Sequence, residues 1–202
     1  MQFKHLSAKL TKIIGQLKSL KAYSLVPKKA LQAVLKNGLY SSQAISQRPD
    51  LMKLSIHPDE TVESWKKKIE EDLKDDFRQP SMLGPSAFFH LPPTSVKLSK
   101  KHPTNLYDLA LVEIDLGQLL KDMPDTKVFG MELEPFDAKN PDKIRHRYIN
   151  DDELEKYVEM SPEENWKDYR DMQDRGLYAP NVPHASIHTK NGIIPPKYLR
   201  RK

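Results

Sequence analysis

Cysteine is absent from the 202 residues, which removes disulfides, thiolate metal sites, iron–sulfur ligation and cysteine nucleophiles together. Glycine is scarce. The seven are Gly15, Gly38, Gly84, Gly117, Gly130, Gly176 and Gly192, and the closest pair is Gly117 and Gly130. A dinucleotide fingerprint or a phosphate-cradling loop needs several glycines within about six residues, so that backbone can approach pyrophosphate. Neither exists here, and the same spacing excludes a Gly-x-Ser-x-Gly nucleophile elbow. The zinc-protease pattern His-Glu-x-x-His is missing as well. No apolar run approaches the ~18 residues of a membrane span. A chain that forms no disulfide fits a reducing compartment without demanding one, and a cytoplasmic location is the expectation.

Acidic residues are missing from the first 49 positions, which carry eight Lys and Arg48. The rest of the chain holds 24 basic against 28 acidic residues. A basic arm on an acidic body can contact nucleic acid, a protein partner or an anionic surface. Within this arm Phe3, Leu6, Leu10, Ile13, Leu17 and Leu20 recur at three- and four-residue steps. That spacing predicts an amphipathic helix over residues 1–20, with Lys4, Lys9, Lys12 and Lys18 mostly off its apolar face. Such a helix can dock on the body, lie on a membrane or be imported and cleaved, docking being the expectation. A cleaved transit peptide would normally carry Arg, and none precedes Arg48.

The remaining 182 residues suit one domain, with 38% hydrophobic and 30% charged content over the chain. Lys21–Val26 reads as a strand. Pro27 opens a helix whose apolar face is Ala30, Leu31, Val34 and Leu35, and Gly38 stops it. Residues 41–58, with Pro49 and Pro58, read as loop. Val62, Trp65, Ile69 and Leu73 mark an amphipathic helix over 59–77. Gln79–Pro85 reads as a break. Further strands are expected at 86–91, 106–116, 127–134 and 185–189, with a helical turn at 117–123. Asn191-Gly192 is a turn dipeptide. Short helices are expected at 151–158 and 161–176. Strands and helices mix without regular alternation. The expected fold is therefore a single α+β domain over 21–202, with a mainly antiparallel or mixed sheet, flanking helices and a basic C-terminal tail.

Several residues could carry chemistry. Glu132 and Glu134 fall on one side of a strand, about 7 Å apart by pleat geometry, where two carboxylates can divide the work of polarising a substrate and orienting a nucleophile. A solvated strand face explains the same pattern. His184 and His188 also alternate onto one side of a strand. Two imidazoles do not make a metal site without a third ligand, so no metal is expected. His184 can instead orient a substrate. His90 sits between Phe89 and Leu91 and can line a cleft. Tyr23 and Ser24 alternate on the first strand, so one of them turns away from the core. Lys143, Arg145 and Arg147, with Arg200, Arg201 and Lys202, can contact phosphates. No aromatic RNA-binding signature or zinc-finger spacing accompanies them.

The stretch from Tyr23 to Ser41, Y-S-L-V-P-K-K-A-L-Q-A-V-L-K-N-G-L-Y-S, resembles the opening of ADP-ribosyltransferase-like domains, among them DNA-targeting toxins and RNA 2′-phosphotransferases. The strands S-A-F-F-H-L and L-A-L-V-E-I-D-L and the terminal G-I-I-P-P-K-Y-L are similar to further landmarks, covering most of residues 21–199. The resemblance implies transfer of ADP-ribose from NAD to a macromolecular target. It implies that Tyr23, Ser24, His90 and His184 contact NAD, and that Glu134, assisted by Glu132, stabilises the developing oxocarbenium charge. Ser24 stands where the family often has His or Arg. The last strand, around His184-Ala185-Ser186, carries no acid, and a domain that keeps this fold without the activity fits the same residues. The alternative is a non-enzymatic module that binds nucleic acid or protein through the basic N-terminal helix and C-terminal tail.

Overall fold

The computed structural model describes residues 21–56, 60–75, 78–89, 109–133, 146–148 and 184–202. The expected helices over 1–20, 151–158 and 161–176, and the candidates His90, Glu134, Lys143 and Arg145, lie outside these residues.

Nine strands are described: β1 Lys21–Pro27, β2 Leu39–Tyr40, β3 Ser86–Phe89, β4 Leu109–Asp115, β5 Lys127–Leu133, β6 His146–Tyr148, β7 His184–His188, β8 Ile193–Ile194 and β9 Leu199–Arg201. Seven of them form one sheet in the order β6-β5-β7-β3-β1-β4-β9, and β2 pairs with β8 in a two-stranded ribbon. Every described pairing is antiparallel. The helices are α1 Leu31–Asn37, α2 Ser42–Ile45, α3 Pro49–Met52, α4 Val62–Asp72, α5 Gln79–Leu83 and α6 Leu116–Asp122. The fold is thus α+β. Among the described residues no helix is long and apolar enough to cross a membrane.

The period-two pattern of β1 decides how the sheet is buried. Ala22, Ser24 and Val26 are buried, while Lys21, Tyr23, Leu25 and Pro27 are half-buried. Register carries Ala22 and Val26 onto the same face as Val112 and Ile114 of β4. Ala87, Val128, Ala185, Ile187 and Leu199 join them in one core. Leu31 of α1 and Leu116, Leu119 and Leu120 of α6 close over that core, with Ile194 and Tyr198. Each fully buried Leu or Ile contributes about 1.5–3 kcal/mol. Asp115 caps α6 through the Gln118 N–H at 3.2 Å. Burial works against the Asp115 charge, but the Lys21 ammonium and the Gln118 N–H outweigh it and hold its pKa below the usual value.

A second, smaller core joins the helices α2 to α5. Met52, Ile56 and Ile69 are buried there, and Ile45, Val62, Trp65, Leu73 and Met82 pack against them. Thr61 and Ser64 form a reciprocal capping box that starts α4. The buried Asp72 accepts from Arg78 at 2.9 Å, tying α4 to α5. Lys29 donates to the Ile56 carbonyl at 3.2 Å, which fastens this helical lobe to the turn that follows β1.

Three expectations are corrected. Residues 41–58 are not simply loop, because α2 and α3 lie within them. The Ser41 hydroxyl accepts from the Ala44 N–H at 3.0 Å, and Pro49 occupies the first turn of α3. Single turns are too short to leave a periodic signal. The break at Gln79–Pro85 contains α5, which tolerates Pro80 because a first-turn residue needs no N–H partner. Finally, the C-terminal basic run is not a free tail: Leu199, Arg200 and Arg201 pair with Ile114, Glu113 and Val112.

Candidate functional site

The central strand β1 has two unequal borders. It pairs with β4 over all seven of its residues, from Lys21↔Asp115 to Pro27↔Leu109. With β3 it pairs only at Ala22↔Phe89 and Tyr23↔Phe88. Beyond Tyr23 the ladder between β1 and β3 stops. Pro27 and Pro85 flank this parting and bring no N–H that could extend the ladder.

A cavity of about 230 Å³ opens at the parting. The last four residues of β1, Ser24 to Pro27, form one wall. Gly84, Pro85 and Ser86 form the opposite wall, with Ser81 of α5 beside them. Tyr40, Ser42 and Ile45 close one end, and Trp65 projects from α4. The lining therefore offers the hydroxyls of Ser24, Tyr40, Ser42, Ser55, Ser81 and Ser86, and the rings of Tyr40 and Trp65. Among its described lining residues there is no carboxylate, ammonium, guanidinium or imidazole. Such a lining offers hydrogen bonds to a polar group and aromatic faces to a ring, with no charged side chain among its described residues. The Ser81 hydroxyl donates to the Arg78 carbonyl at 2.7 Å, which leaves its oxygen able to accept.

Gly84 marks where this wall meets the sheet. A Cβ there would overlap the His188 ring and lie 2.6 Å from the Ile187 carbonyl oxygen. Behind it, the fully buried Ser186 hydroxyl donates to the Gly84 carbonyl at 3.2 Å. Ser186 Oγ also lies 3.0 Å from His188 Nε2. With the serine fully buried and tied to the Gly84 carbonyl, this pair braces the wall. The His188 ring also packs on Phe129, with centroids 4.3 Å apart.

The residues singled out by sequence are placed as follows. Ser24 lines the cavity. Tyr23, one residue earlier, is turned by the pleat to the other face and is not among the lining residues. Tyr23 belongs instead to a register row that crosses all seven strands: Tyr148, Met131, His184, Phe88, Tyr23, Glu113 and Arg200. His184 is thus two strands from Tyr23, about 10 Å by sheet spacing. Glu132 pairs with Arg147 in the adjacent row, three strands from β1. Its backbone position is about 14 Å across the sheet from β1. His90 and Glu134 lie outside the described residues. Among those residues no group of three His, Cys, Asp or Glu could hold a metal ion.

On the Tyr23 face, Glu113 is buried and accepts from Lys202 at 2.8 Å. Burial raises the Tyr23 pKa, the Glu113 charge raises it further, and Lys202 opposes both. Sequence reading missed Tyr40, Trp65, Ser81 and Gly84. Trp65 was legible only as one stripe of an amphipathic helix, and the Gly84-Pro85 pair only as a break.

Comparison with family models, with curated proteins and with solved structures gives no match in any of the three.

Proposed function

We propose that this is an ADP-ribosyltransferase-like domain and that the cavity where β1 and β3 part receives the nicotinamide end of NAD. The observation that carries the reading is the uncharged, hydroxyl-rich lining around Ser24, with the Tyr40 and Trp65 rings at its sides. The nicotinamide of NAD needs such a set: hydroxyls for its amide, and the Tyr40 and Trp65 faces for its positively charged ring. The volume of about 230 Å³ fits one substituted ring, since pockets for whole drug-sized ligands span about 300–1,000 Å³. The rest of the dinucleotide would lie outside it. On this reading Glu134 stabilises the positive charge that develops on the ribose as its bond to nicotinamide breaks, and a macromolecule accepts the ADP-ribose, while Glu132, about 14 Å across the sheet from β1, takes no part.

Calorimetric titration of the full chain with nicotinamide and with NAD tests the reading. Ser24→Ala removes one hydroxyl without adding bulk and weakens both ligands by about five- to tenfold. Trp65→Ala weakens them further, whereas Tyr23→Phe leaves them unchanged. Release of nicotinamide from NAD, lost in Glu134→Gln, tests the transfer chemistry separately. Binding without release leaves a domain that holds NAD but does not transfer it. No binding of either ligand overturns the proposal.

A second reading is a binding module for nucleic acid or protein. One observation favours it: Arg200 and Arg201 are exposed on the edge strand β9. Charged side chains on an edge strand also serve to block sheet-to-sheet aggregation, which accounts for them without a ligand. Counterion release would make nucleic-acid binding fall steeply with added salt, and a salt-insensitive interaction removes this reading.

A further inference from the structure

Next to the polar cavity lies a second hollow of about 60 Å³. Tyr40, Ile45 and Ser55 line both, as do Val26, Pro27 and Leu39. Its own further walls are Ala30, Ala33, Val34, Gly38, Leu51 and Leu54, so α1 and the helical lobe enclose it with side chains that bear no polar atom. The polar chamber and the apolar hollow thus share one wall but differ in chemistry.

A hollow of this size is well above the ~10–15 Å³ that one water needs. Water gains little in its depth, where Ala30, Ala33, Val34, Leu51 and Leu54 offer no hydrogen-bond partner; the Tyr40 and Ser55 hydroxyls stand only on the wall shared with the chamber. Native cores are packed to crystal density and hold few such voids, since each forfeits dispersion contacts along its walls. An apolar void beside a polar chamber is what a ligand with two unlike parts would fill.

We propose that the two hollows form one bipartite site, which binds most tightly a competitor of NAD that carries a short branched alkyl group on its polar aromatic ring. This rests on the reading of the polar chamber given above and adds a specificity pocket to it. The alkyl group enters the apolar hollow past Tyr40 and Ile45. The polar ring stays among the serine hydroxyls. Each methylene moved from water into such a pocket tightens binding about fourfold.

The test compares nicotinamide with its ring-isopropyl isomers by calorimetric titration of the full chain. One isomer is expected to bind at least about tenfold tighter than nicotinamide, by the same area argument. Ala33→Leu fills the hollow with a residue that helices favour, and abolishes this gain while leaving nicotinamide itself unaffected. Leu54→Ala widens the hollow and shifts the preference toward the bulkier tert-butyl isomer, which keeps the test open if the first variant folds poorly. Equal or weaker binding of every isomer, with nicotinamide still bound, overturns the bipartite site alone. In that case Ala33→Leu simply raises Tm, as for any filled packing void. Failure of nicotinamide as well as the isomers overturns the chamber reading and this inference together.

Discussion

The Lys202 ammonium lies 2.8 Å from a carboxylate oxygen of Glu113, whose side chain is only 7% exposed. The pair joins the edge strand β9 to its neighbour β4, and the Lys202 N–H adds a bond to the Leu111 carbonyl at 3.1 Å. Removing one partner of such a pair leaves the other charge stranded, whereas replacing both with apolar groups is often neutral or stabilising. Lys202→Met is therefore expected to lower Tm in scanning calorimetry. Combining it with Glu113→Leu is expected to recover or exceed the original Tm. A double variant less stable than Lys202→Met would show that the pair itself, and not the stranded carboxylate, sets the loss.

Tyr23 faces Glu113 across β1 and β4. Its phenol is held neutral above the usual value of 10.0, first by burial and then by the Glu113 charge. A pKa raised by folding gives stability that is intact below the unfolded value and is lost as pH rises through the folded one. Tm should accordingly fall on the alkaline side of pH 10.0, and Tyr23→Phe should flatten that fall. Lys202→Met removes the opposing charge, so tyrosinate absorbance should emerge at still higher pH. An unchanged titration would exclude Lys202 as the counterweight.

Asp122 at the end of α6 accepts from the Tyr198 hydroxyl at 2.8 Å and from Lys197 at 3.1 Å. The Tyr198 bond first, and the Lys197 bond next, hold its carboxyl below the usual 3.8. A depressed pKa gives stability that is present above the unfolded value and is lost as pH falls through the folded one. Acid loss of stability below pH 3.8 should therefore be shallower in Asp122→Asn than in the native chain. Parallel acid profiles would mean that the contact contributes nothing to folding.

Gly84 has no room for a side chain, because its Cβ would press on His188 and on the Ile187 carbonyl, which cannot yield. Overpacking of this kind costs about 1–3 kcal/mol. Gly84→Ala is expected to lose that amount in denaturant unfolding. It should also weaken nicotinamide binding, since Gly84 forms part of the cavity wall. A stability loss with unaltered binding would detach this wall from the ligand.

Much of the scaffold was legible because its signals are local. The strand over Lys21–Pro27, the helix after it and the stop at Gly38, with φ of 108°, follow from alternation, proline and glycine within twenty residues. The turn at Gly192, φ 64°, follows from the Asn-Gly dipeptide. The single-turn helices α2, α3 and α5 left no such trace, since four or five residues complete barely one period.

What the chain dictated unaided is the kind of domain: an α+β body without the glycine-rich loops, thiols or long apolar runs that other functions demand. Alternation also dictated that Tyr23 and Ser24 must face opposite ways. Which of the two meets a cavity was settled only in three dimensions, by the early end of the β1–β3 ladder and by the helical lobe that brings Trp65 to the gap. The pairing of Glu113 with Lys202, 89 positions apart, belongs to the same level. A side chain's own neighbours in sequence fix its direction from the backbone. The partner waiting there comes from strand order, which is decided by non-local packing.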